Sequence, residues 1–337
     1  MTHVLAVRLD NAGDVLLAGP AIRALAAGAD RVTLLAGPRG HAAAVLLPGV
    51  AEIVTWRAPW IDPDPPPFAA AAVQDAVDRV AGLHADRALI FGSFHQSPLP
   101  TALVLRQAGV PWIGATSDDY PGALLDLRHR ISGDVHEVER SLDLARAAGY
   151  ALPPGDRGAL AVRHFLPTPI DGDYVVVHPG ASVPARAWAP GRNAALVDAL
   201  VSEGRRVVVT GAPSERGLTA IVTGAPRPEV VDLGGMTDLA GLAGVIAGAS
   251  AIVVGNTGAA HLAAAVGTPV VSLFASTVPP ARWRPWRVRH ELLHADVPCA
   301  GCRARECPVP GQPCLGAMAV QDVVAAVDRL AALEVAA

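Results

Sequence analysis

Ile252-Val-Val-Gly-Asn-Thr-Gly-Ala-Ala-His261 is the stretch on which the reading of this chain turns. An apolar run from Ala251 to Val254 breaks at Gly255-Asn256-Thr257-Gly258 and resumes as an Ala-rich helical pattern from His261 to Val266. That order is a buried strand, a tight turn and a helix start. Thr257 stands where an N-cap belongs, and the glycines let a ligand approach the backbone closely. The unpaired N–H groups and positive end of such a helix make the turn a natural seat for a diphosphate. Pro269 to Phe274 follows as a second strand, so the segment is a βαβ unit at the edge of a cleft.

From Gly241 to Ala275 no residue except His261 can carry charge near neutral pH, so a membrane span has to be weighed. Gly, Thr, Ser, Asn and Pro interrupt the run every few residues, and no window of about 18 apolar residues survives. Buried parallel strands produce the same apolar runs, which points to the core of a soluble α/β domain.

Working outward, 337 residues suffice for two domains with sizeable cores, and 51% hydrophobic against 17% charged content suits sheets covered on both faces. A net charge of −4 argues against a general nucleic-acid binder. All 27 basic residues are Arg, so Schiff-base and P-loop lysine chemistry is excluded, and a phosphate must be met by Arg or backbone amides. Met1 to Asn11 carries Arg8 and Asp10 in its apolar run, so it does not read as a signal peptide, and a cytoplasmic location is expected.

Strands are expected at His3–Leu9, Val32–Ala36, Glu52–Trp56 and Ala88–Gly92, with helical patterns between them, beginning with Val15–Ala27. A helix over roughly Asp134–Gly149 is expected to turn Glu137, Glu139, Arg140 and Arg146 to solvent. Proline-rich punctuation at Pro153-Pro154-Gly155 and Pro167-Thr-Pro169 marks a boundary. A second series then begins at Tyr174–His178 and continues through Val207–Thr210, Val230–Leu233, Ile252–Val254 and Val270–Phe274. Two alternating halves predict doubly wound parallel sheets: an α/β chain of two Rossmann-like domains facing across a cleft. The halves run over 1–165 and 166–318, with an amphipathic helix in 319–337.

Four further stretches carry chemistry. In Arg8-Leu-Asp-Asn-Ala-Gly-Asp14 a carboxylate follows the first strand, where it could accept a proton from an incoming hydroxyl; the bland alternative is a helix cap worth about 1 kcal/mol. In His178-Pro-Gly-Ala-Ser182-Val-Pro-Ala-Arg186 a strand end opens into a Gly/Ser loop with an Arg in reach, which suits a phosphate pocket and equally a solvated loop. In Thr210-Gly-Ala-Pro-Ser-Glu215, Glu215 could hold ribose hydroxyls or simply help begin a helix. Cys299, Cys302, Cys307 and Cys314 hold all the chain's thiols within 16 residues, a clustering that favours structural Zn²⁺ or iron over disulfides, with free thiols as the alternative. Asp62-Pro-Asp64 and Asp171-Gly-Asp173 mimic a metal-binding Asp-x-Asp but sit in a Pro-rich loop and the linker, where turn chemistry explains them. Arg282-Trp-Arg-Pro-Trp-Arg287 reads as a solvated loop with stacked Arg side chains, or as an acceptor site.

These motifs, in this order and with Asn256-Thr-Gly-Ala-Ala-His261, resemble glycosyltransferase family 9, the ADP-heptose heptosyltransferases. The resemblance implies the GT-B fold and an inverting transfer from an ADP-activated sugar, heptose in that family. It implies Asp14 as general base with Gly13 beside it, Arg186 and Ser182 by the donor diphosphate, and Glu215 on the ribose. Met236 would lie by the adenine, and Thr257, Gly258 and His261 on the phosphates. Two positions differ from the family's pattern: Asn256 replaces an Asp, and Arg186 a Lys. No metal is implied for the chemistry. Some members carry iron at a similar cysteine cluster. In the GT-B fold the terminal helix, Val320–Leu333 here, commonly packs back across the N-terminal domain. The expected partners are a sugar-nucleotide and a carbohydrate, glycolipid or natural-product acceptor, with no transmembrane segment and room for peripheral membrane contact. A sugar-nucleotide epimerase of the same fold and a non-catalytic sugar-nucleotide or metal-binding module remain as alternatives.

Overall fold

A computed structural model describes residues 1–168 and 170–332, and the chain divides into two compact units, Met1–Arg163 and His164–Ala337. Pro169 of the Pro-rich linker and Leu333 of the expected terminal helix lie outside the described residues.

The first unit alternates strands and helices: β1 (His3–Arg8), α1 (Ala12–Gly28), β2 (Arg31–Ala36), α2 (His41–Leu46), β3 (Glu52–Thr55), α3 (Ala70–Ala81), β4 (Arg87–Ile90), α4 (Leu99–Gln107), β5 (Trp112–Thr116), β6 (Leu127–His129) and α5 (Glu137–Ala147). The strands form one parallel sheet in the order β3-β2-β1-β4-β5-β6. β1 lies centrally and is apolar on both faces because helices cover both; Val4, Leu5, Ala6 and Val7 are at most 1% exposed. Truncating such a residue, Leu5→Ala for instance, costs about 2–5 kcal/mol. α1 is buried along most of its length, Pro20 included, and packs on α5. Arg23 of α1 donates to both carboxylate oxygens of Asp156, at 2.7 and 3.0 Å, and to the Ala159 carbonyl, which ties the end of the unit to that helix.

The second unit repeats the plan: β7 (Val175–His178), α6 (Pro190–Ser202), β8 (Val207–Gly211), α7 (Arg216–Thr223), β9 (Val230–Gly234), α8 (Leu239–Ala247), β10 (Ala251–Gly255), α9 (Gly258–Val266), β11 (Val270–Leu273), α10 (Pro280–Trp283), β12 (His290–Leu293), α11 (Pro313–Gly316) and α12 (Val320–Ala332). Its order, β12-β11-β10-β7-β8-β9, is that of the first sheet written from the other edge, and every pairing is again parallel. In both sheets the winding reverses beside the first strand, between β1 and β4 and between β7 and β10, and ligands of open α/β sheets bind outside the carboxyl ends at that reversal.

The apolar face of α12 packs within its own unit. Val323, Val327 and Leu330, spaced along one helical face, are buried in a cluster with Leu196, Val197 and Leu200 of α6 and strand residues such as Val253 and Val271. The helix expected to present four charges to solvent is different: it begins at Glu137, and Glu137 is 1% exposed. Among the described residues no helix is long and apolar enough to cross a membrane.

Candidate functional site

At the carboxyl end of β1, the guanidinium of Arg8 is buried among three carboxylates. Its Nε is 2.8 Å from Asp10, its Nη2 donates to Asp14 Oδ1 at 3.1 Å and to Ser93 Oγ at 2.8 Å, and its Nη1 is 3.7 Å from Glu137 Oε2. Asp10 follows in the turn after β1 and also accepts from Gln96 Nε2; Asp14 lies in the first turn of α1, and Glu137 opens α5. Ser93 and Gln96 come from the loop after β4, so the cluster straddles the winding reversal of the first sheet. Burial pushes the carboxyls of Asp10 and Glu137 up, while Arg8 pulls both back. Asp14 is the most exposed of the three, its side chain at 21% against 8% for Asp10 and 1% for Glu137, so it is the candidate among them for contact with a bound molecule. It does not cap the helix: Asn11 occupies that position, Gly13 is packed beneath, and the Asp14 carboxylate pairs with Arg8.

A pocket of about 300 Å³ opens at the same edge, lined by Asp10, Asn11, Arg39, Arg57 and Asp62 among others. Asp62 accepts from Arg57 Nε at 2.6 Å and from its neighbour Asp64 N at 3.0 Å, so Asp62-Pro-Asp64 is an arginine-pinned turn. Arg206 donates to the Asp171 carbonyl of the linker motif.

In the second unit, loops after four adjacent strands assemble a second site. The loop after β7 exposes Ser182 and turns through Pro184–Arg186, leaving Arg186 half-buried. This turn packs on the end of β10 so closely that a Cβ on Gly255 would sit 2.8 Å from the Arg186 carbonyl oxygen; glycine is required there. After β8, Glu215 accepts the Ala212 N–H at 2.7 Å, and its carboxylate occupies the space a side chain at Gly180 would need. After β9, Gly235 donates to the Gly211 carbonyl and Met236 stands 70% exposed. His178, at the end of β7, bonds Thr210 Oγ1 at 2.9 Å; burial pushes its pKa down against the pull of Glu215.

After β10 come Asn256, Thr257, Gly258 and His261. Asn256 is 6% exposed; its Oδ1 accepts the Ala275 N–H at 3.2 Å, and its Nδ2 is buried with no hydrogen-bond partner among the described residues. Thr257 has the extended backbone of an N-cap, yet its hydroxyl makes no cap bond and, like His261 Nδ1, is buried with no partner among the described residues. Unsatisfied buried polar atoms are costly, and three within six residues, at a helix start beside an arginine, make this the candidate seat for a polar ligand. Burial, together with the nearby charge of Arg186, pushes the His261 pKa down to about 4. The imidazole is therefore neutral at neutral pH and acts as a hydrogen-bonding group.

The four cysteines line one pocket with Ala185, Ser276, Thr277, Val297 and Pro313. Cys302 is exposed, Cys314 is buried with its thiol pushed up by burial, and the Cys307 thiol donates to the Val309 carbonyl at 3.5 Å. The clustering read from the sequence is thus present, but among the described residues no three His, Cys, Asp or Glu side chains gather closely enough to share an ion. A tetrahedral ligand set does not fit the thiols as they stand. The segment grips the Arg186 turn instead: Ala185 N donates to the Arg305 carbonyl at 2.9 Å, and Gln312 Nε2 donates to the Ala185 carbonyl at 2.8 Å. Farther along, Trp286 of the Arg/Trp loop is buried, with Arg287 5.3 Å above its ring.

The structure therefore brings Arg186, Glu215, Met236, Asn256, Thr257, Gly258 and His261 to one edge of the second sheet, and Gly13 and Asp14 to the corresponding edge of the first. Sequence reasoning gave no role to Arg8, Asp10, Ser93, Gln96 or His178, and put Glu137 on the wrong face. An arginine closing an otherwise apolar strand is the signal that could have found the first cluster.

The sequence profile of glycosyltransferase family 9 (heptosyltransferase) matches residues 94–312, well over half of the chain. The chain belongs to glycosyltransferase family 9. The matched residues hold the whole of the second-unit site and stop short of Arg8 and Asp14. Lipopolysaccharide heptosyltransferase 3 of Escherichia coli is 32% identical over 165 residues, 47% of this chain and 47% of that protein. The chain spans about half the length of the curated relatives it matches. Among solved structures, the family 9 glycosyltransferase of Veillonella parvula DSM 2008 has a TM-score of 0.78 at 15% identity, covering 98% of this chain and 97% of that one. An E. coli heptosyltransferase solved with ADP-2-deoxy-2-fluoro heptose has a TM-score of 0.74 at 20% identity, covering 97% and 99%. At such identities the likeness is one of fold: this family 9 chain has the GT-B fold.

Proposed function

We propose that the chain is an inverting glycosyltransferase that moves a sugar, heptose as the first candidate, from an ADP-activated donor to an acceptor hydroxyl. The observation carrying this reading is the set of buried, unsatisfied polar atoms on Asn256, Thr257 and His261, at the start of α9 and beside Arg186. Family membership and the relative solved with an ADP-heptose analogue support the choice of donor. Met236 would cover the adenine, Glu215 and its free oxygen would meet the ribose, and Ser182 would lie along the phosphates. Asn256 would present its Nδ2 to a sugar oxygen, because Oδ1 is held by Ala275.

In the transfer, Asp14 takes the proton of the acceptor hydroxyl while that oxygen bonds to the anomeric carbon. The carbon–oxygen bond to the diphosphate breaks, and ADP leaves with the electron pair. A single displacement inverts the anomeric configuration. The charge on the leaving diphosphate is met by Arg186 and the N-terminus of α9. The four cysteines take no part in these steps.

Two measurements test the reading. Calorimetric titration with ADP-, GDP-, UDP- and dTDP-sugars is expected to give micromolar binding for ADP-heptose; no binding to any of them overturns the transferase reading. Asp14→Ala is expected to lower kcat by about 10²–10⁴-fold while ADP affinity stays within about twofold. Transfer at the wild-type rate would remove Asp14 from the role of base.

A further inference from the structure

The third carboxylate on Arg8 is left over from this chemistry. Glu137 is 1% exposed, and neither of its oxygens accepts a hydrogen bond among the described residues. A buried carboxylate without hydrogen bonds is costly, and its charge is met instead by Arg8 Nη1 at 3.7 Å and by Arg140, one turn along α5. The other groups facing this cluster are Asp10 from the turn after β1, Asp14 from α1, and His95 of the β4 loop, which acts on Asp10. His136 adjoins Glu137, and its Nδ1 accepts the Val138 N–H.

Each of the three guanidinium nitrogens of Arg8 thus faces a different carboxylate. A carboxylate paired with an arginine of its own is a poor base, since an opposite charge at contact lowers its pKa by about 1–3 units. Resting on the reading of Asp14 as the base, we propose that Glu137 is a positioning residue acting through Arg8: it holds Nη1, draws part of the guanidinium charge away from Asp14, and so keeps Asp14 basic. Burial favours the protonated form of Glu137, so its draw on Arg8 strengthens as pH rises.

Glu137→Gln in the full chain removes the charge and keeps the shape. Arg8 then divides between Asp10 and Asp14 alone, and the Asp14 carboxylate gains attraction and loses repulsion. The acidic limb of the kcat/KM–pH profile is expected to move down by about half to one pH unit, and kcat to fall about three- to tenfold, with the Kd for ADP unchanged. A purely structural role would not move the profile. A second readout needs no substrate: with 13C-labelled aspartate, and the Asp14 signal assigned by its loss in Asp14→Asn, the Asp14 titration midpoint is expected to fall by the same amount. Glu137→Asp, which keeps the charge but withdraws it by one methylene, is expected to lie between the two and serves if the Gln variant does not fold. An unmoved Asp14 midpoint in Glu137→Gln overturns the coupling, whatever the activity. If the midpoint moves but the wild type transfers no sugar, the coupling stands and the transferase reading fails.

Discussion

Replacing Arg186 with alanine tests the proposed donor site in two independent ways. The residue is half-buried in the turn after β7, and its charge reaches His261. A hydrogen bond between an arginine and a phosphate contributes about 1.5–3 kcal/mol, so ADP should bind about 10- to 150-fold more weakly to Arg186→Ala. His261 supplies the second scale. Its pKa lies near 4 against an ordinary 6.5, and burial is the larger cause, so removing Arg186 returns less than half of that distance. The His261 midpoint should rise and stay below about 5.2, halfway to its ordinary value. Calorimetry with ADP gives the first number, and NMR titration of the labelled imidazole the second. Arg186→Lys should keep the His261 midpoint depressed while losing the bidentate contact, and so weaken ADP less. If the midpoint rises as expected but ADP affinity stays within about twofold of the wild type, Arg186 sits beside His261 and not on the diphosphate. The donor site would then have to be redrawn.

The remaining predictions are simpler. Because the folded pKa of His261 is depressed, its contribution to stability is complete above pH 6.5 and is lost as pH falls toward 4; wild type should lose about 3 kcal/mol more than His261→Gln between pH 7 and 4, read from urea unfolding. Gly255→Ala should cost about 1–3 kcal/mol and displace the Arg186 turn, seen as a lower Tm together with weaker ADP binding, because the new Cβ meets backbone and not a movable side-chain end. Alkylation followed by mass spectrometry should modify the exposed Cys302 first and the buried Cys314 last; equal rates would contradict the placement of Cys314.

Much of the fold was legible because it is written in apolar runs. β1, β2, β7, β8, β10 and β11 are central or nearly so, covered on both faces, and read as continuous Val, Leu and Ile. β5, β6 and β12 were missed; β6 has three residues, and β12 opens with His290-Glu291 before its only two apolar residues, Leu292 and Leu293, so neither of these edge strands offers an apolar run. The loops after β7, β8 and β10 were legible as turns, yet Thr257 shows the limit of such rules: it occupies the N-cap position without making the cap bond. Glu137 was misread because an acidic residue at a helix start is ordinarily solvated and favoured by the helix dipole. Its burial depends on Arg8, far away in sequence, and no periodicity within α5 reveals that. The cysteines were rightly seen as a group, but whether thiols converge is a matter of loop backbone, which spacing does not encode.

The grip of the cysteine segment on Ala185 gives the Arg186 loop an unusual dependence. The residue before Arg186 has its N–H and its carbonyl both engaged by chain more than a hundred residues later, at Arg305 and Gln312. The turn that carries the arginine is thus a splint fastened at its far end, and its rigidity is borrowed from chain far beyond it. On the proposed donor reading, drift in the cysteine segment would be felt first as slack in nucleotide binding, while both sheets stayed intact. An assay of folding alone would pass such a protein as healthy.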